Sequence, residues 1–162
     1  MNAKANTARE VPLRWYWMKD ENWRVNEALG GRILVIEDNP INLELITYLL
    51  KAFDYTVLTA TNGNEGIELA HSQRVDLIIC DVHLPGMDGY QVARRLKEHP
   101  VLGNIPLVAV TALAMMGDRE KVLAAGFNSY ISKPIIPEKF IKQIEEVMRN
   151  KCPGTSQGGA IY

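Results

Sequence analysis

Short apolar runs alternate with segments of helical period from about residue 32 to residue 150, and this alternation restricts the fold more than any other feature of the sequence. The runs are RILVIED (Arg32 to Asp38), Thr56 to Ala60, Leu77 to Asp81, Leu107 to Thr111 and Ser129 to Ile131. The intervening and closing segments are Pro40 to Phe53, Gly63 to Ser72, Gly89 to Glu98, Asp118 to Ala125 (stopped at Gly126) and Pro137 to Asn150, and they read as helices. Pro40 fits a first helical turn, where its missing amide costs nothing. Apolar strands interleaved with helices imply a parallel sheet covered on both faces. Right-handed crossovers then wind the chain in both directions, giving an α/β, doubly wound, five-stranded parallel sheet. Such sheets carry their sites at the carboxyl ends of the strands, near the point where strand order reverses.

The chain divides into three parts. Residues 1–30 hold all three tryptophans, Trp15, Trp17 and Trp23, and end at a Gly30-Gly31 joint; they are expected to be a weakly ordered extension. Residues 31–150 carry the alternating pattern, and residues 151–162 form a Gly-, Ser- and Pro-rich flexible tail. A length of 162 residues suits one domain with a sizeable core, and 47% hydrophobic with 23% charged residues is a soluble globular profile. The formal net charge of -1 argues against a nucleic-acid or membrane partner. No run approaches the roughly 18 apolar residues of a spanning helix, and the N-terminus lacks an apolar leader, so a cytoplasmic location is expected. Cys80 and Cys152 are not in metal-ligand spacing, and Cys80 falls in an apolar strand pattern where it serves as a small core residue.

The strand ends carry the chemistry. The first ends in Glu37-Asp38, the third in Asp81, the fourth in Thr111, and the fifth leads into Lys133-Pro134. In a parallel sheet these put three carboxylates, one hydroxyl and one ammonium on one rim. Crowded carboxylates repel, so one takes up a proton unless a cation joins them. A hard divalent cation with oxygen ligands, Mg²⁺ above all, meets that need. A metal beside a carboxylate favours a phosphoryl group, to which Lys133 adds a point charge and Thr111 a hydroxyl donor. Asp81 is the natural nucleophile, since a carboxylate can be converted to an aspartyl phosphate.

With these residues in view the sequence resembles the receiver domain of two-component response regulators, over about Arg32 to Arg149. The matching pieces are ILVIEDNPIN, LIICDVHLPGMDG, PLVAVTA and YISKP, in this order and at these spacings. Their wording is nearest to stand-alone receivers and to receivers attached to hybrid kinases. The resemblance implies a flavodoxin-like (βα)5 fold with strand order 2-1-3-4-5. It implies Asp81 as phosphoacceptor, Mg²⁺ held by Glu37, Asp38, Asp81 and the backbone carbonyl of His83, and Thr111 and Lys133 on the phosphoryl oxygens. It also implies Tyr130 as an aromatic switch working with Thr111, and a cis Lys133-Pro134 peptide. The implied partners are a sensor histidine kinase or histidine phosphotransfer protein and a downstream protein target, with a homodimer also open. Only about a dozen residues follow the last helix, so output is expected through protein contacts or onward phosphotransfer.

Other readings stand beside these. Asp81 alone could cap the turn after its strand, and Tyr130 could be a core aromatic. His83, two residues past Asp81, could tune hydrolysis of the phosphoryl group or be an ordinary loop histidine. His71 and His99 read as surface residues. A phosphatase with an aspartyl-phosphate intermediate usually has a second acid where His83 stands. A phosphorylation-independent binding module usually loses one of the acids or the lysine, and all are present here. Flavodoxin-like cofactor binding wants a phosphate loop where this chain has the acidic EDNPIN. On the first helix, Leu45, Ile46, Leu49 and Phe53 define a core arc, with Ile41 and Tyr48 on one shoulder and Leu43 and Leu50 on the other. The arc is wider than one packed face requires. One shoulder is therefore a candidate partner surface, the alternative being a deeply buried helix. WYWMKDENW could likewise dock, since Trp and Tyr are common interface anchors.

Overall fold

The computed structural model describes residues 31–112 and 117–151; the Trp-rich segment and the tail from residue 152 lie outside the described residues. Five parallel strands, β1 (Arg32–Ile36), β2 (Thr56–Ala60), β3 (Leu77–Asp81), β4 (Leu107–Thr111) and β5 (Ser129–Ser132), form one sheet in the order β2-β1-β3-β4-β5. Five helices alternate with them: α1 (Pro40–Ala52), α2 (Gly63–Ser72), α3 (Gly89–Glu98), α4 (Asp118–Ala124) and α5 (Pro137–Lys151). This is the expected doubly wound sheet. The ends differ by a residue or two: β1 stops at Ile36 rather than Asp38, β5 reaches Ser132, α4 stops at Ala124 and α5 continues to Lys151. Ser132 joins β5 because it pairs in register with Thr111 of β4.

Alternation along the strands sorts the core into two layers. Ile33 and Val35 face one side with Ile46, Leu49 and Leu50 of α1 and Phe140, Ile141 and Ile144 of α5. Leu34 and Ile36 face the other with Ala70 of α2, Val92, Ala93 and Leu96 of α3, and Val122 of α4. Each fully buried Leu, Ile or Phe contributes about 1.5–3 kcal/mol, so both faces hold the sheet firmly. Cys80 is fully buried in the second layer, and burial raises its thiol above the usual range. The caps are local. Asn39 Oδ1 accepts from the amides of Ile41 and Asn42 at the start of α1, and Asn62 Oδ1 accepts from Glu65 at the start of α2. Asp88 and Gln91 form a reciprocal capping box on α3. A 3-10 turn at Leu102–Asn104 was not expected; the amides of Val101 and Leu102 donate to His99 Nδ1, each at 3.2 Å. His99 is thus not a plain surface residue: it is half-buried and meets His71 edge to face.

The order reverses between β1 and β3, with β2 on one side and β3 on the other. The crevice at their carboxyl ends is where a doubly wound sheet places its site.

Candidate functional site

Glu37 and Asp38 follow β1, Asp81 and Thr111 are the last residues of β3 and β4, and Lys133 follows β5. The sheet brings these ends to one rim. One carboxylate oxygen from each of Glu37, Asp38 and Asp81 lies within 4.8 Å of the others. Glu37, Asp81 and Thr111 are buried, whereas Asp38 is exposed. Lys133 Nζ bridges two of the acids, 2.8 Å from Asp81 Oδ2 and 3.2 Å from Glu37 Oε2. The other Asp81 oxygen, Oδ1, accepts from the amide of His83 at 2.9 Å. Lys133 is tied to the neighbouring strand end by its own amide, which donates to the Thr111 carbonyl at 2.8 Å. The Lys133-Pro134 peptide is cis, as the resemblance implies.

Glu37 is the least satisfied member. Its Oε1 accepts from the amide of Asn39 at 3.1 Å. Its Oε2 is buried and takes no hydrogen bond, and its contact with the Lys133 ammonium is an ion pair at 3.2 Å. Burial pushes this carboxyl above its ordinary range; the Asn39 amide opposes the shift, the Asp81 charge adds to it, and Lys133 opposes it. Burial alone would lower the Lys133 ammonium, but the hydrogen bond and charge of Asp81, then the charge of Glu37, outweigh it and raise the group. Three carboxylates thus face one ammonium, and a buried acceptor is left over. An oxygen-only donor set with excess negative charge fits a hard divalent cation such as Mg²⁺.

Two residues that position the site were missed in the sequence. Gly89 opens α3 directly against the β3 end: its amide donates to the Val82 carbonyl at 2.9 Å, and a Cβ there would strike the carbonyl of Asp81 and the Cα of Val82. Asn39 both caps α1 and holds Glu37. Only the local signals Asp88-Gly89 and Asn39-Pro40, read as helix starts, could have pointed to them.

The His83 side chain is exposed beside the rim. Tyr130 is half-buried against the α2–α4 layer, and its carbonyl accepts from Gln143 Nε2 at 3.4 Å. On α1, Ile46 and Leu49 are buried while Leu45 and Phe53 are half-buried, so the core arc is seated. Its two shoulders are unequal: Leu50 is fully buried and Leu43 half-buried, whereas Ile41 is 75% and Tyr48 57% exposed.

A buried carboxylate at a strand end, flanked by further acids and held by an ammonium, can receive an electrophile once a cation offsets the negative charge. The model of the response regulator receiver domain matches residues 33–145. The polar-differentiation response regulator DivK of Brucella anthropi is 40% identical over 116 residues, which is 72% of this chain and 94% of that protein. DivK of Brucella ovis is 38% identical over the same shares. The receiver domain of sensor histidine kinase PA1611 from Pseudomonas aeruginosa, solved with a magnesium ion coordinated in its active-site cleft, superposes with a TM-score of 0.69 at 34% identity, covering 74% of this chain and 98% of that one. A response regulator from Chloroflexus aurantiacus superposes with a TM-score of 0.71 at 28% identity over the same shares. The matched family stretch leaves out the Trp-rich segment.

Proposed function

The chain belongs to the response regulator receiver family of two-component signalling, and from that membership and the geometry of the rim we propose that Asp81 is its phosphoacceptor. The observation that carries this is the Asp81 carboxylate itself, buried at the end of β3, with one oxygen on the Lys133 ammonium and the other on the His83 amide. An Asp81 oxygen attacks the phosphorus of a phosphohistidine; a P–O bond forms, the P–N bond breaks, and its electron pair leaves with the imidazole. Lys133 and Thr111 hold the phosphoryl oxygens. Glu37, Asp38, Asp81 and the His83 carbonyl would hold Mg²⁺. When bound, the ion supplies the positive charge that lets a phosphoryl group lie against the carboxylates. The protein's own contribution is positioning and charge, so it is a signalling protein and not a conventional enzyme. Its catalysis is confined to its own phosphorylation and dephosphorylation.

The rest of the proposal concerns contacts. Receiver domains work with histidine kinases or phosphotransfer proteins and with downstream targets. Here a phosphohistidine donor docks on the exposed Ile41–Tyr48 shoulder of α1, and the target reads the face made by α4, β5 and α5. Phosphorylation biases that face through Thr111 and Tyr130, which shifts an existing equilibrium. Residues 31–150 form the receiver, 1–30 and 151–162 are appendages, and the protein acts in the cytoplasm. No described helix is long and apolar enough to cross a membrane. A phosphorylation-independent binding module is not favoured, since the acids and the lysine all meet at the rim.

The test is the intact mass after incubation with acetyl phosphate, with and without Mg²⁺, beside Asp81→Asn. One added phosphoryl group that needs both Mg²⁺ and Asp81 is the expected result. Unmodified protein, with Mg²⁺ binding demonstrated separately, would sink the proposal for small donors and return attention to the binding-module function.

A further inference from the structure

Among the described residues α1 is the one element that carries two exposed large apolar side chains, Ile41 and Tyr48. Ile41, Leu45, Tyr48 and Ala52 recur at the spacing of one helical stripe, exposed at Ile41 and Tyr48 and half-buried at Leu45 and Ala52. The described fold provides no cover for the two exposed members. The same chain holds a segment rich in the side chains that anchor interfaces, Trp15, Tyr16, Trp17, Met18 and Trp23. This segment lies ahead of the stretch shared with the family.

The attachment point favours their meeting. The Gly31 carbonyl accepts from the amide of Thr56 at 3.0 Å, and Thr56 follows α1 after only Phe53, Asp54 and Tyr55. The segment therefore enters the fold beside the carboxyl end of α1. Trp23 stands eight residues before Gly31, a span of about 27 Å when extended. The whole of α1 is about 20 Å long. Trp23 can thus reach Tyr48, and Trp17 and Trp15 can reach Ile41. A tether of this length would hold its end at an effective concentration on the order of millimolar, so an intrinsic Kd below that would suffice to fill most of the stripe.

We propose that the segment Trp15 to Trp23 folds back onto the Ile41–Tyr48 stripe of α1 and covers it. A phosphohistidine donor on the same shoulder would compete with the segment, a consequence that rests on the functional proposal above; the docking itself does not.

All three tryptophans of the chain lie in this segment, so tryptophan fluorescence reports on it alone. Collisional quenching by acrylamide would be measured on the full chain and on the variant Ile41→Lys with Tyr48→Lys. Both sites are exposed, and a thermal melt checks that the variant stays folded. The expected result is protected tryptophans in the parent chain and a severalfold rise in quenching in the variant, independent of protein concentration. Equal quenching in the two proteins overturns the proposal. So does protection that disappears on dilution, which would place the segment on a second copy. Acetyl phosphate uptake by Asp81, followed in parallel, separates failure of the phosphoacceptor assignment from failure of the docking.

Discussion

The two ends of the sheet treat their polar groups in opposite ways. At the amino end, polar side chains close the backbone. Asp76 Oδ2 accepts from the Arg32 amide at 2.9 Å where β1 begins, and Asn128 Oδ1 accepts from the Leu107 amide at 2.8 Å where β4 begins. Lys97 Nζ donates to the carbonyls of Gly103 and Ile105, at 3.0 and 3.2 Å. At the carboxyl end, three carboxylates share one ammonium and Glu37 Oε2 is buried without a hydrogen bond. A satisfied polar group stabilises the fold, whereas an unsatisfied buried one costs free energy and persists where a ligand or reaction needs it. One end closes backbone groups with polar side chains, and the other crowds like charges together.

Substitutions at the two ends should therefore separate function from stability. The largest separation is expected for Asp81→Asn. It should abolish phosphoryl uptake in the mass measurement yet leave the melting temperature unchanged or higher, because it removes one of three crowded charges. A clear drop in stability would break the comparison. Gly89→Ala should be the most damaging to the fold itself. Its methyl has to displace the backbone of Asp81 and Val82, at a cost of about 2–3 kcal/mol in urea denaturation. Uptake should slow as well, since the displaced backbone carries Asp81, the proposed phosphoacceptor.

At the amino end the signs reverse. Asn128→Ala leaves the Leu107 amide without its acceptor, and Lys97→Met keeps the aliphatic stem but loses two carbonyl contacts. Each should cost about 1–2 kcal/mol in the same denaturation experiment and leave phosphoryl uptake within twofold of the parent chain. Uptake that fell as steeply as for Gly89→Ala would show that the two ends are coupled through the strands.

How far this division could be read from the sequence depends on distance along the chain. The strands and helices were legible because burial imposes a period on neighbouring residues. Their ends moved where pairing across the sheet decided, as Ser132 did opposite Thr111. The 3-10 turn was hidden because an imidazole, His99, supplies its acceptor, and no turn signal marks that. The acids and lysine of the rim were legible as charged residues at the ends of apolar runs. The contact of Gly89 with Asp81 was not, since it joins a helix start to the backbone of a strand. For α1, the sequence offered two equivalent shoulders. Only packing on the sheet distinguished them, burying Leu50 and leaving Tyr48 outside.

The subtlest prediction concerns Glu37→Gln, where the carboxyl end should gain stability by losing function. Glu37 titrates above its ordinary value of 4.5 in the fold, chiefly because it is buried. The folded chain therefore keeps this proton at a pH where the unfolded chain has released it. The group's contribution to stability is full below pH 4.5 and is lost as pH rises through the folded value. At neutral pH the charged acid destabilises the cation-free protein, and the amide removes that cost, by about 1 kcal/mol. In EDTA, the melting temperature of Glu37→Gln should match the parent near pH 4 and exceed it by pH 7. Adding Mg²⁺ at pH 7 should raise the parent more than the variant, because Glu37 is among the groups expected to hold the ion. A difference that did not change with pH would mean that Gln acts by packing alone. The crowding of Glu37 with Asp38 and Asp81 would then lose its standing as the mark that distinguishes this end of the sheet from the other.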